Sequence, residues 1–144
     1  LRLKAVVARY FPLGRQAVLK AAVQAGMLQS GNYFRNELFQ IGGFRLLRGF
    51  DEESIFARSY LVTTTEYRYL TGQNSFLFAF IDAGYAGYKD EQLQFSHTYL
   101  GSGLGINFQT KNSQVSISWA VGKRNDLPLN LRQSKIHIGF VNFF

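Results

Sequence analysis

The 144-residue sequence contains no cysteine, only two prolines and few charged residues, which make up 17% of the chain. Without cysteine, a disulfide framework and a thiolate metal site are both excluded. Hydrophobic residues make up 47% of the chain, and this content excludes disorder, which requires low hydrophobicity together with high net charge. Long apolar runs are missing as well. The longest, residues 76–81, is far shorter than the roughly 18 residues of a transmembrane helix.

The net charge of +7 raises the question of a nucleic-acid partner. The 16 lysines and arginines are scattered, however, with no run of three, whereas a phosphate-binding surface clusters them on one face. We therefore predict no nucleic-acid binding. The two histidines, His97 and His137, have no neighbouring cluster of ligands, so we predict no metal and no cofactor. Because no nucleophile, base and acid set is evident, the chain is also not predicted to be an enzyme.

Alternation of apolar and polar residues with a period of two runs through almost the whole sequence, and helical periodicity is nearly absent. The pattern predicts an all-β, antiparallel fold of seven strands, with alternation in residues 1–7, 16–27, 57–70, 76–85, 100–109, 114–122 and 134–144. In each strand one face is apolar and the other is polar or glycine. For example, Leu104 and Ile106 alternate with Gly103 and Gly105.

A water-soluble sandwich would also have strands with one apolar face. Strand length favours an outer-membrane barrel instead, because a tilted membrane strand needs about 9–11 residues and an ordinary strand has about five or six. The connections alternate between short ones (12–14, 71–74, 110–113) and longer ones (29–56, 89–97, 123–133), as the turns and loops of such barrels do. Aromatic residues near strand ends, among them Tyr10, Tyr67 and Tyr88, suit the girdles at the membrane interfaces.

An odd number of strands does not fit a complete barrel, because bacterial single-chain barrels have even strand counts. Seven strands alone would also leave two unpaired edges in hydrocarbon. We therefore expect residues 1–144 to be the C-terminal part of an outer-membrane β-barrel domain, with a long inward-folding loop at about residues 29–56.

Four motifs follow one another in an order found in a known family. Residues 41–50 read IGGFRLLRGF, residues 66–68 read EYR, residues 80–84 read FIDAG, and the chain ends in Phe144. Together they resemble the BamA/TamA superfamily (bacterial surface antigen family), which contains outer-membrane assembly factors and two-partner secretion transporters. The resemblance covers essentially the whole chain.

The resemblance implies a sixteen-stranded transmembrane β-barrel whose last seven strands are this chain, preceded by periplasmic POTRA domains. It also implies that the long loop starts outside the cell and folds back into the lumen, where its tip meets the barrel wall. The implied tip residues are Arg48, Gly49 and Phe50, and the implied wall partners are Glu66, Arg68, Phe80, Asp82 and Gly84.

The residue pattern supports a contact for Arg48 independently of the family. Glu66 and Asp82 lie on the polar faces of adjacent strands, which are about 4.8 Å apart, so the two carboxylates can share one cation. The planar guanidinium fork of arginine suits two acceptors at once.

Two further interpretations concern space inside the barrel. We expect Phe50 to pack against Phe78 or Phe80. The alternate glycines of residues 101–105 remove bulk from the inner face, either to make room for the folded-back loop or to let the wall bend.

The end of the chain resembles the C-terminal signal by which outer-membrane barrels are themselves recognised. His137, Gly139 and Phe144 fit its polar, glycine and aromatic positions, and Phe140 completes the predicted signal. Asn142 departs from the pattern, since an apolar residue is expected there.

The resulting functional prediction is an assembly factor of the bacterial outer membrane that inserts β-barrel proteins through a lateral seam between its first and last strands. The expected partners are outer-membrane lipids, unfolded outer-membrane protein clients and periplasmic or lipoprotein accessory subunits. The alternatives are a two-partner-type secretion pore and a barrel that anchors an upstream hydrolase domain. A passive porin is disfavoured, because a porin needs no Arg-Gly-Phe loop.

Overall fold

Nine strands and two three-residue 3-10 helices make up the computed structural model, which describes residues 1–32, 34–89 and 93–142. The strands are β1 (Arg2–Pro12), β2 (Ala17–Leu28), β3 (Phe39–Ile41), β4 (Ile55–Ala57), β5 (Ser59–Gly72), β6 (Ser75–Lys89), β7 (Gln94–Gln109), β8 (Ser113–Arg124) and β9 (Lys135–Asn142). The helices are Arg35–Glu37 and Leu131–Gln133. No helix in the described part of the chain is long and apolar enough to cross a membrane.

Seven of these strands form one antiparallel sheet in the order β1-β2-β5-β6-β7-β8-β9. Each strand of this sheet pairs with the next one along the chain, which confirms the seven predicted strands and the all-β, antiparallel class. The sheet is open, and β1 and β9 are its two edges.

Two details of the connections differ from the prediction. The long connection contains β3 and β4, which pair with each other and are too short to show alternation. The connection expected at residues 89–97 is wrong, because β6 runs to Lys89 and β7 begins at Gln94. Tyr88 stacks on Phe95 across this hairpin with ring centroids 5.3 Å apart, and such aromatic cross-strand pairs extend strand pairing.

The register keeps apolar residues on one exposed side of the sheet, called here the outer face. Leu104 lies opposite Trp119, and Trp119 lies opposite Ile136. These three side chains are 61%, 47% and 70% exposed. Because a one-residue slip would turn every side chain to the other side, this alignment fixes the register of the whole sheet.

The opposite side, called the inner face, is covered by the segment that connects β2 to β5. This segment is called the inward loop, and its described residues are 29–32 and 34–58. The core lies between the inward loop and the sheet, and its buried members are Leu28, Leu38, Phe39, Ile41, Leu47, Ala57, Tyr60, Val62, Ala86 and Tyr99. Phe39 of β3 packs edge-to-face on Tyr60 of β5, with ring centroids 5.0 Å apart. Full burial of one large apolar side chain, such as that of Leu or Phe, contributes about 1.5–3 kcal/mol to the free energy of folding. The core therefore holds the inward loop against the sheet.

The inner face also contains two aromatic residues that were expected in the interfacial girdles. Tyr10 lies under the guanidinium of Arg68 at 5.4 Å from its ring centroid, and Tyr88 packs against the core. The girdle assignment is therefore wrong for these two residues, whereas Tyr67 is 44% exposed on the outer face. Strand-end position alone does not show to which face an aromatic residue belongs.

If the outer face lies in lipid, Trp119 contacts acyl chains. We expect lipids brominated on their acyl chains to quench the fluorescence of Trp119 in the reconstituted full-length protein, because bromine quenches on contact. The W119F variant identifies the Trp119 component. Stronger quenching of that component by aqueous iodide than by brominated lipid would place the outer face in water instead.

Candidate functional site

The inward loop reverses direction at residues 42–53, called here the loop tip. The amide of Glu53 donates to the carbonyl of Gly42 at 3.0 Å and closes the turn. Gly42, Gly43 and Gly49 have φ angles of 107°, 115° and 102°, a region that residues with a side chain rarely adopt. Glycine is therefore required at these three positions.

Arg48 lies at the loop tip and bonds to two carboxylates of the inner face, Glu66 on β5 and Asp82 on β6. Its Nε and Nη2 donate to Oδ2 and Oδ1 of Asp82, each at 2.9 Å, and its backbone amide donates to the same Oδ2 at 2.9 Å. Its Nη1 donates to Oε2 of Glu66 at 2.6 Å. The structure thus places the predicted cation between the two predicted carboxylates, with the bidentate geometry that arginine favours.

Both carboxylates are buried: the side chains of Glu66 and Asp82 are 5% and 1% exposed, and that of Arg48 is 11% exposed. Burial tends to lower the pKa of the Arg48 guanidinium, but the hydrogen bonds and negative charges of Asp82 and Glu66 outweigh it and raise the pKa. Arg48 is therefore charged at every physiological pH. Removing one partner of such a buried pair costs about 3–5 kcal/mol, because the other charge stays buried.

A second arginine completes the group. Nε of Arg68 donates to Oε1 of Glu66 at 2.7 Å, so Glu66 joins the two arginines. The four side chains, Arg48, Arg68, Glu66 and Asp82, are called the charge cluster, and their two positive and two negative charges balance. The centroid of the Phe80 ring lies 3.6 Å from the Arg48 guanidinium carbon, a cation–π contact that covers one face of the cluster.

Phe50 does not lie where it was expected. Its ring packs edge-to-face on Tyr99 of β7, with centroids 5.2 Å apart, and not on Phe78 or Phe80. The guanidinium of Arg48 already occupies the face of Phe80, and the left-handed conformation of Gly49 turns the chain away directly after Arg48. The expectation of a contact with Phe78 or Phe80 is wrong for these two reasons.

Leu47 is a site residue that the sequence analysis missed. Its side chain is fully buried, and its φ of 59° is unusual for a residue other than glycine. It packs against Gly84 of β6, where an added Cβ would lie 3.1 Å from Leu47 Cδ1 and 3.4 Å from Val62. Gly84, predicted as a wall residue, therefore forms the space that Leu47 fills. A single leucine in a loop gives no sequence signal of this contact.

Two glycines of the wall let the backbone of the loop tip approach. A Cβ at Gly101 of β7 would collide with the carbonyl oxygen of Arg48, and a Cβ at Gly122 of β8 would lie within 2.8 Å of the Phe50 ring. Of the two explanations for the glycine row, clearance for the loop applies at Gly101. Gly105 instead makes room for the ring of Phe78, which belongs to the wall itself.

The predicted C-terminal signal residues lie on both faces of β9. His137 is buried on the inner face, and its Nε2 accepts a hydrogen bond from the amide of Gly49 at 3.0 Å. Gly139 also faces inward, where an added Cβ would collide with the ring of Phe44. Phe140 is 64% exposed on the outer face, and Phe144 lies outside the described residues.

A polar cavity of about 350 Å³ lies beside the charge cluster on the inner face. Its walls include Lys20, Arg45, Asn107 and Ser116. Within residues 1–32, 34–89 and 93–142, no group of three or more histidine, aspartate or glutamate side chains could hold a metal ion.

Comparison with known proteins identifies the family. The sequence matches the Omp85 superfamily domain over residues 1–140, and the chain therefore belongs to the Omp85 superfamily. Proteins of this superfamily are bacterial outer-membrane β-barrel proteins associated with protein insertion or secretion. No curated protein and no solved structure matches the sequence significantly.

The charge cluster makes a prediction about stability. R48A leaves Asp82 buried without its cation, so we expect a loss of about 3–5 kcal/mol in the docking of the loop tip. Adding D82N removes the stranded charge, and the double variant should regain part of the loss. Urea unfolding of the full-length protein in lipid vesicles measures both changes.

Arg45 provides the matched control, since it is an exposed arginine three residues before Arg48. R45A should unfold like the parent protein. The interpretation of Arg48 as the partner of a buried charge fails if R48A unfolds like R45A, or if D82N destabilises R48A further.

Proposed function

We propose that this chain is part of an assembly factor of the bacterial outer membrane that inserts other β-barrel proteins through a lateral seam beside its last strand. Membership of the Omp85 superfamily supports protein insertion or secretion in general. The single observation that carries the finer proposal is the position of the loop tip, which Arg48 docks on β5 and β6 and which also bonds to His137 of the edge strand β9.

An edge strand is a template for another strand. The edge of β9 carries backbone donors and acceptors that an incoming client strand can pair with by β-augmentation. Among the described residues β9 has eight, half as many as the 16 of β7. It also contains Gly139 and Asn142, which are poor strand formers. A short, weakly pairing edge can exchange partners at low cost.

The proposed mechanism is physical, without covalent chemistry in this chain. Nε2 of His137 accepts a hydrogen bond from the amide of Gly49, so this ring contacts the backbone of the loop tip. The second histidine, His97, lies away from the loop tip near the exposed end of β7. Its Nδ1 is 3.1 Å from Oδ1 of Asn125. The proposed partners are outer-membrane lipids, unfolded barrel clients and periplasmic or lipoprotein accessory subunits.

A secretion pore is the second candidate. It is favoured by the position of the inward loop, which crosses the inner face where a channel would pass and therefore fits a plug. In that case the charge cluster would hold the plug, and a client would pass through the lumen.

Reconstitution of the full-length protein in liposomes distinguishes the two. An unfolded β-barrel client added outside the liposomes should become heat-modifiable and protease-resistant in the membrane if the protein is an assembly factor. A secretion pore would instead transfer its own client to the other side of the membrane without inserting it.

Loss of the charge cluster should impair this reaction without abolishing the barrel. We expect R48A and D82A to lower the yield of folded client several-fold, because the loop tip loses its anchor, while both variants remain heat-modifiable themselves. R45A is the control and should support normal yields. Normal client assembly by both R48A and D82A would show that the cluster has no such role.

A further inference from the structure

The loop tip contacts the last strand at three points in addition to its anchor on β5 and β6. The Gly49 amide donates to Nε2 of His137, Asp51 pairs with Lys135 at 2.8 Å, and the ring of Phe44 covers Gly139. His137, Lys135 and Gly139 alternate along β9, so all three face inward. The loop tip thus joins the middle of the sheet to its edge.

The three contacts are not equally strong. Asp51 and Lys135 are 70% and 35% exposed, and solvent and salt screen an exposed ion pair of this kind so that it contributes little. His137 is 5% exposed, and its bond to Gly49 is buried. A buried amide left without an acceptor bears the full cost of its desolvation, so the histidine bond is the contact whose loss matters most.

The hydrogen bond also fixes the protonation state of His137. Because Nε2 accepts a proton from the Gly49 amide, it carries a lone pair, and the neutral ring holds its own proton on Nδ1. A protonated ring carries hydrogen on both nitrogens and cannot accept. Protonation would therefore place two donors against each other at the loop tip.

Charged groups surround His137 from several elements. They are Arg48, Asp51 and Glu52 of the loop tip, Asp82 of β6 and Lys135 of its own strand. Asp82 is bound to Arg48 and Asp51 is bound to Lys135, so these four charges form two pairs. Ser118 of β8 lies directly across from His137 and has a buried hydroxyl without a hydrogen-bond partner among the described residues.

We propose that His137 is a positioning residue that holds the last strand, β9, against the loop tip, and that protonation of its imidazole releases the strand while Arg48 keeps the loop tip on the wall. The loop tip then has two anchors, one on β5 and β6 and one on β9. Only the contact with β9 is released by protonation. The consequence for opening the seam rests on the proposed assembly function, but the contact itself does not.

Spin-label distances in the full-length protein in lipid vesicles test this directly. One label replaces the exposed Arg45 of the loop tip, and the second replaces either Ile138 on the outer face of β9 or Ile81 on the outer face of β6. The pair 45–138 reports the loop tip against the last strand. The pair 45–81 reports the loop tip against the wall.

At about pH 7.5 both pairs should give narrow distance distributions, and at about pH 4 the 45–138 pair should lose its narrow peak while the 45–81 pair keeps it. H137F, which retains a ring but no acceptor, should lose the 45–138 peak at both pH values. H137Q provides a side-chain carbonyl that accepts at any pH, so its narrow peak should survive acidification. S118A should behave like the parent protein.

Three results would overturn the proposal. A narrow 45–138 peak in H137F would show that the hydrogen bond does not position β9. Broadening of H137Q with acid, as in the parent protein, would assign the pH response to another group. Broadening of the 45–81 pair in H137F would mean a general loosening of the loop tip. None of these distances involves a client, so this proposal and the assembly function can fail separately.

Discussion

The arrangement of the whole chain depends on two carboxylates, Glu66 and Asp82, that project from neighbouring strands into the inner face. Two buried anions on adjacent strands repel each other and lose hydration, so they require a cation that binds both. Arg68 reaches only Glu66 from within the sheet, which leaves Asp82 to a residue from elsewhere. Arg48 supplies that charge, and the inward loop must fold over the sheet to bring it there.

For Arg48 to reach the two carboxylates, the loop tip must also fit closely against the inner face. Glycines of the inner face make this close approach possible. Each one accommodates a particular group of the loop tip: Gly84 receives the side chain of Leu47, Gly101 the carbonyl of Arg48, and Gly139 the ring of Phe44. A side chain at these positions would separate the two surfaces before the ion pairs could form. The inner face is therefore complementary to the loop tip, with charged groups at its centre and glycine-lined recesses that groups of the loop tip fill.

Whether a contact could be predicted from the sequence depends on its origin. The charged contacts follow from strand alternation, whereas the fit of the loop tip depends on local backbone shape. Long strands show their alternation in the sequence, and this alternation alone places two carboxylates on the polar side of adjacent strands, where an arginine can pair with both. β3 and β4 could not be found, since three residues hold no period. The partner of Phe50 could not be found either, because it depends on the φ of Gly49 and on a guanidinium already covering Phe80. Contacts between a loop and a distant strand, such as Gly49 with His137, leave no local pattern.

The loop tip is anchored to the sheet at two places, and the two anchors differ in chemical kind. The sheet is therefore not held uniformly by the loop tip. On β5 and β6 the anchor is a set of charge-assisted bonds to buried partners, which resists loss at any physiological pH because arginine stays protonated. On β9 the anchor is one neutral hydrogen bond, one exposed ion pair and a ring over a glycine. β9 is also the shortest strand of the main sheet in the described residues and lies at its edge. The loop tip is therefore held by weaker contacts on the edge strand than at the centre of the sheet. If β9 separates from the loop tip as proposed, the charge cluster still holds the loop tip on β5 and β6.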